Sequence, residues 1–93
     1  MTIQKTLRDL SDQIEELEYR AVEARVKRAA VYAKAMNEPD KAKRVNATRL
    51  ADWAGVTRTA VIDAVRLNGP GTKNEREFAK RKAARARAAR KAA

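Results

Sequence analysis

The stretch of sequence that decides the fold is residues 46–67, NATRLADWAGVTRTAVIDAVRL. It is predicted to form two short helices, over 47–54 and 58–68, on either side of Gly55. A glycine at the end of the first helix adopts a positive φ at little cost. Thr57 stands where its hydroxyl can cap the second helix. The stretch therefore predicts two helices joined by a tight turn.

Small and branched apolar side chains are predicted to pack these two helices together. Ala51 stands where the helices approach closely, because a larger side chain would push them apart. Val56 fills the turn between them. Val61 and Val65 are four residues apart and face back onto Leu50.

The string over residues 50–61, LADWAGVTRTAV, resembles the helix-turn-helix of bacterial and phage repressors. The resemblance is closest to the lac-repressor-type version, in which a VA..AGVS..TV string recurs. It covers less than a quarter of the chain and leaves out the first 36 residues and the tail. Ala64 departs from the motif, which usually has a larger aliphatic residue there, although Val65 beside it can compensate. The resemblance implies that residues 58–67 form a recognition helix in the major groove of DNA.

The resemblance also implies which side chains contact DNA. Arg58 can pair with guanine or bind a phosphate, and Ile62, if exposed, suits apolar contact with bases. Asp63 can accept a hydrogen bond from cytosine or simply orient Arg58 or Arg66. The alternative for each side chain is solvated surface. The candidate DNA-binding residues of the two helices are Thr48, Arg49, Thr57, Arg58, Thr59, Ala60, Ile62, Asp63 and Arg66.

Residues 2–36 contain no glycine or proline and are predicted to form one long helix with two apolar stripes. The first stripe alternates four and three residues apart, as in a coiled-coil seam. It comprises Ile3, Leu7, Leu10, Ile14, Leu17, Ala21 and Ala24. Continuing its register reaches Arg28, which breaks it, and the second stripe lies on a shifted face. The second stripe comprises Val22, Val26, Ala29, Ala33 and Met36.

The shift between the stripes predicts two different partners for one helix. The first stripe is expected to pair with a second chain, and the second stripe to cover the domain that follows. The alternative is a single amphipathic helix folded back on its own chain. The candidate dimerisation residues are Ile3, Leu7, Leu10, Ile14 and Leu17.

The formal net charge of +10 lies mainly at the C-terminal end. Residues 73–93 carry nine Lys/Arg and only two Asp/Glu. This excess favours a polyanionic partner, with nucleic acid ahead of a membrane surface. Asn74 is predicted to cap a last helix, and the tail to contact phosphates; the alternative is a disordered, solubilising end. The candidate phosphate contacts are Lys80, Arg81, Lys82, Arg85, Arg87, Arg90 and Lys91.

Trp53 has two interpretations, a core anchor near Tyr32 or Met36, which we expect, and an exposed interaction residue. The chain has no cysteine or histidine, which excludes disulfides and ordinary zinc sites. Ser11 is the sole serine and has no base nearby in sequence. We therefore expect no enzyme, cofactor, metal or small-molecule effector.

Together these patterns predict an all-α protein with three parts. They are a long N-terminal coiled-coil helix (1–36), a compact helix-turn-helix (37–72) and a basic C-terminal helix (73–93). The expected function is sequence-specific binding of double-stranded DNA as a homodimer, with transcriptional repression in a phage or bacterium. No apolar run has membrane-spanning length, so a cytoplasmic, nucleoid-associated protein is expected. The alternatives are an interaction protein docking a host factor through the long helix, and an architectural or RNA-binding protein dominated by its tail.

Overall fold

The computed structural model describes residues 2–92 and arranges them in four helices. They are α1 (Ile3–Met36), α2 (Ala47–Ala54), α3 (Arg58–Asn68) and α4 (Lys73–Ala92). Across residues 2–92 there is no β-strand. The predicted all-α class, with a long first helix and a C-terminal helix, is therefore confirmed.

Helix α1 is a single element of 34 residues, about 51 Å long at 1.5 Å per residue. The Thr2 hydroxyl caps it by accepting a hydrogen bond from the amide of Lys5 at 3.2 Å. At its other end the amide of Asn37 still donates to the carbonyl of Ala33. Pro39 follows shortly after, where a helix could not continue. The prediction of one uninterrupted helix is confirmed.

The bounds of α2 and α3 agree with those predicted, because both helices carry strong local caps. The side chain of Asn46 accepts a hydrogen bond from the amide of Arg49 at 2.9 Å, which begins α2. Gly55 ends α2 in the left-handed region, at φ 69°. The hydroxyl of Thr57 then accepts from the amide of Ala60 at 3.1 Å, as expected of the cap of α3.

The core lies where the C-terminal half of α1 covers α2 and α3. Val61 of α3 is fully buried, and Tyr32 supplies the largest side chain of the cluster. Ala64 is buried in the same cluster as Tyr32. The motif usually has a larger aliphatic residue at this position, and here an alanine is part of the core. The buried residues of this core are Tyr32, Ala47, Leu50, Ala51, Val61 and Ala64.

The two apolar stripes of α1 have different surroundings, as their shifted faces predicted. Members of the second stripe are buried or half-buried under the domain that follows. The large residues of the first stripe are 49–80% exposed, so α1 is not an amphipathic helix covered along its whole length by its own chain. The exposed stripe, hereafter the seam, comprises Ile3, Leu7, Leu10, Ile14 and Leu17.

Helix α4 begins at Lys73, two residues before the start that a cap at Asn74 would give, so Asn74 is not its cap. The hydroxyl of Thr72 accepts a hydrogen bond from the amide of Glu75 at 3.2 Å and donates to the carbonyl of Gly69 at 2.7 Å. Gly71 turns the chain at φ 84°, which brings the threonine hydroxyl to the helix end first. Asn74 lies inside α4, where its amide contacts the side chain of Asn68.

Helix α4 packs against the N-terminal half of α1 through one aromatic pair. Phe78 is buried against Tyr19, with ring centroids 5.4 Å apart. Beyond Phe78 every described residue of α4 is exposed. None of the helices within residues 2–92 is long and apolar enough to cross a membrane.

Candidate nucleic-acid interface

Helix α3 has one buried side and one exposed side. Val61 and Ala64 face the core, which leaves the residues about half a turn away in solvent. Ile62 is 40% exposed, although it is a large apolar residue. The candidate contacts that α3 exposes are Arg58, Thr59, Ala60, Ile62 and Arg66, and Asp63 is half-buried beside them.

The charged residues of this face differ in how they are held. Arg66 donates from Nη2 to Oδ1 of Asp63 at 3.3 Å, one of the two arrangements expected for that carboxylate. Arg58 forms no ion pair within residues 2–92. A planar guanidinium at the first turn of an exposed helix is a suitable donor for a bidentate contact.

The other candidate contacts surround the starts of α2 and α3. Thr48 and Arg49 are both exposed in the first turn of α2. Thr57 is exposed too, but its hydroxyl oxygen is occupied by the amide of Ala60. The O–H of Thr57 can still donate to an outside acceptor. Backbone amides at helix starts favour anions, so this region suits phosphate.

The expectation that Trp53 anchors the core is wrong. Its side chain is 70% exposed. The core-facing residues of α2 are Ala47, Leu50 and Ala51, and Trp53 lies roughly 110° around the helix from their mean direction. Tyr32 of α1 supplies the large aromatic side chain that this core contains.

Some cations of the tail contact α1, and the others extend into solvent. Arg85 forms an ion pair with Glu16, and its guanidinium lies 3.8 Å from the ring centre of Tyr19. Arg81 lies 5.7 Å from the same ring. Lys80 forms no ion pair among the described residues and is exposed. Two of the seven tail candidates, Arg81 and Arg85, thus lie against the long helix.

The contact between α4 and α1 changes the ionisation of its charged pair. A hydrogen bond from Arg85 lowers the pKa of Glu16 below its ordinary value of 4.5, against an opposing contribution from desolvation. The same bond raises the pKa of Arg85. Both groups therefore stay charged at neutral pH, which maintains the ion pair.

A groove beside α3 brings the predicted contact Arg58 together with two basic residues, Lys41 and Arg44, that the sequence interpretation did not name as contacts. It has a volume of about 590 Å³ and lies between the connector that precedes α2 and the exposed side of α3. Lys41, Arg44 and Arg58 line it together with apolar residues that include Val45 and Ile62. The available signal was the basic run KAKR at residues 41–44 directly before the motif.

Comparison with known proteins identifies no relative of this chain. No family model matches the chain, and neither a curated protein nor a solved structure matches it. Within residues 2–92, no three acidic, histidine or cysteine side chains are grouped so that they could hold a metal ion.

Proposed function

We propose that this protein binds double-stranded DNA in a sequence-specific manner through the exposed side of α3. The observation that supports the proposal is the exposure of Arg58, Thr59 and Ile62 on one side of a helix whose other side is buried. An α-helix fits the major groove of B-DNA, where the base edges form a distinct pattern for each base pair. The resemblance of residues 50–61 to a repressor helix-turn-helix supports the same function.

Each exposed side chain of α3 has a contact that suits its chemistry. Arg58, in the first turn, can donate two hydrogen bonds to O6 and N7 of a guanine. Thr59, Ala60 and Ile62 offer apolar groups to thymine methyls. Asp63 holds Arg66 in place, so Arg66 can bind a phosphate at the other end of the helix.

The rest of α2 and α4 would supply contacts that do not depend on base sequence. Thr48 and Arg49 can bind phosphate where α2 begins, and Thr57 can donate to phosphate in the turn. The exposed tail cations, with Lys80 nearest to the docked part of α4, would neutralise further phosphates. Each neutralised phosphate adds about 0.9 to the slope of log affinity against log salt.

We propose a homodimer joined through the seam. The seam is apolar and exposed, and its alternating spacing of four and three is typical of two helices that pair in register. Tyr19 and Glu16, which hold α4, lie on the opposite side of α1 from the seam, so the tail helix leaves it open to a second chain. A dimer would present two copies of α3, expected about 34–36 Å apart on opposite half-sites.

Such a protein would act as a transcriptional regulator, as a repressor that occupies a promoter. A bacterial or phage origin and a place on the nucleoid follow from the same proposal. The tail alone cannot supply this specificity, because phosphate contacts do not distinguish one duplex from another.

The test is selection of preferred sites from a random duplex pool, followed by binding measurements on the selected and a random duplex. Arg58→Ala and Thr59→Ala are expected to reduce the preference for the selected duplex about tenfold or more. Arg87→Ala is the matched control, because it removes the same charge from the exposed tail. It is expected to lower both affinities alike.

Two outcomes would favour the other functions instead. If tail truncation abolished binding while the α3 variants kept wild-type behaviour, the protein would be architectural or RNA-binding. If no nucleic acid bound, the exposed seam would be better explained as a docking helix for a host protein.

A further inference from the structure

The groove beside α3 has a chemistry that differs from the rest of the surface. Three cations, Lys41, Arg44 and Arg58, line it, and no carboxylate does. None of the three forms an ion pair within residues 2–92. Val45 and Ile62 add apolar surface between them. A groove of this composition suits a ligand that combines negative charge with an apolar body.

The connector that carries two of these cations is held in place by hydrogen bonds. The amide of Val45 donates to the carbonyl of Ala35 in α1 at 3.1 Å, which attaches the connector to the long helix. Arg44 donates from Nε to the carbonyl of Glu38 at 2.9 Å. Its two terminal nitrogens are left to bind another group. Asp40, the acid directly before the connector, accepts a hydrogen bond from the amide of Ala42 at 3.0 Å and forms no ion pair with the connector's cations within residues 2–92.

The position of the groove decides which ligand it would meet. Arg58 and Ile62 belong both to the groove and to the exposed side of α3. A duplex that brings its base edges to this helix therefore brings one of its own backbones to the groove. Sugar-phosphate backbone combines anionic oxygens with the apolar face of deoxyribose, which matches the two kinds of lining residue.

We propose that this groove binds the sugar-phosphate backbone of the DNA strand beside α3, with Lys41 and Arg44 on its phosphates and Val45 and Ile62 against its sugars. The inference rests on the proposed function and adds the connector as a contact segment. Because the connector is fixed to α1, its phosphate contacts would add affinity that does not depend on base sequence.

The test compares two lysines of the same connector. Lys41 lines the groove, whereas Lys43 is also exposed but does not line it. Lys41→Ala is expected to lower the salt slope by about 0.9 on both the selected and a random duplex, and to leave the preference between them unchanged. Lys43→Ala is the control and is expected to change the slope by less than half as much.

A second measurement uses the absence of cysteine from the chain. Lys41→Cys and Lys43→Cys can each carry a photoactivatable cross-linker at one defined place. The Lys41 position is expected to cross-link to the duplex backbone several times more efficiently. Equal slopes and equal cross-linking at the two positions would overturn the groove as a site.

A free nucleotide could offer the same chemistry as a backbone segment. Thymidine monophosphate, titrated at constant ionic strength, is expected not to displace the duplex. Displacement at low millimolar concentration would identify a nucleotide site and overturn the proposal.

Failure of the inference differs from failure of the proposed function. If the wild-type protein prefers a selected duplex while Lys41→Ala equals Lys43→Ala, only the groove is refuted. If the wild-type protein prefers no duplex, sequence-specific binding is refuted. If Lys41→Ala but not Lys43→Ala still lowers the salt slope in that case, the groove binds the DNA backbone as proposed.

Discussion

Replacing Leu10 and Ile14 by glutamine is expected to separate the proposed dimer without unfolding the chain. Both side chains are about half exposed in the single chain, at 49% and 56%. Complete burial of a leucine or isoleucine contributes about 1.5–3 kcal/mol, so the exposed half contributes about 0.7–1.5 kcal/mol when a partner covers it. Four such side chains in a dimer give about 3–6 kcal/mol. The dissociation constant should therefore rise by about two to four powers of ten.

The single chain should tolerate this change. Leucine and glutamine have similar helix propensities. The same stretch of α1 is held from its opposite side by Phe78 on Tyr19 and by Arg85 on Glu16. The far-ultraviolet circular dichroism of the double variant is therefore expected to stay helical.

Sedimentation equilibrium over a wide range of protein concentration measures the dissociation constant. The matched control is Arg8→Gln with Asp9→Gln, which introduces the same residue twice, leaves the net charge unchanged and lies outside the seam. A wild-type protein that stays monomeric at every concentration would refute the dimer. A double variant that dissociates no more readily than the control would refute the seam as the interface.

Three further changes test the fold and the contact between α4 and α1. Tyr32→Phe is expected to raise the free energy of unfolding by about 1 kcal/mol in chemical denaturation, because the buried hydroxyl has no hydrogen-bond partner among the described residues. Gly55→Ala is expected to lower it by about 1–2 kcal/mol, because a positive φ strains a residue with a Cβ although no neighbouring atom would clash. Glu16→Gln is expected to lower the melting temperature at neutral pH. That difference should vanish in acid, because Arg85 and, to a smaller extent, Arg20 lower the pKa of Glu16, and its ion pairs with both are lost only as the pH falls through the lowered value.

Each of these changes has a contradicting result, and two of them have a control variant. A Tyr32→Phe variant less stable than wild type would mean that the hydroxyl is hydrogen-bonded. Gly55→Asn should cost less than Gly55→Ala, since asparagine tolerates the left-handed region, and equal costs would contradict the strain argument. Glu18→Gln lies on the same helix without an ion pair and should not alter the melting temperature. A constant effect of Glu16→Gln from pH 7 to pH 2 would exclude the ion pair as its cause.

The N-terminal half of α1 connects the proposed dimer to the tail. One side bears the seam, and the opposite side bears Tyr19 and Glu16, on which α4 packs. The exposed cations of α4 therefore extend from a fixed contact with α1, the same helix that would pair with a second chain. Substitutions in the seam and in the tail should affect DNA affinity by separable routes, one through dimerisation and one through phosphate contacts.

Helix limits could be derived from the sequence because the interactions that set them act over three or four residues. Thr57 caps α3 and Gly55 ends α2 at the predicted places, whereas α4 is capped by Thr72 and not by the predicted Asn74. The two stripes of α1 were predictable for a similar reason, since helical periodicity alone determines which residues share a face. The proposed DNA contacts of α3 remain predictions that depend on the resemblance and on exposure.

Tertiary packing decided the features that depend on residues distant in the chain. Tyr32 rather than Trp53 fills the core, because the direction in which α1 crosses α2 determines which large side chain is enclosed. Tyr19 and Phe78 are 59 positions apart, and nothing in either local sequence indicates that they meet. The basic groove exists only because the connector is fixed to α1 beside α3. Burial and pairing of this kind follow from how whole helices pack, and no short stretch of sequence contains that information.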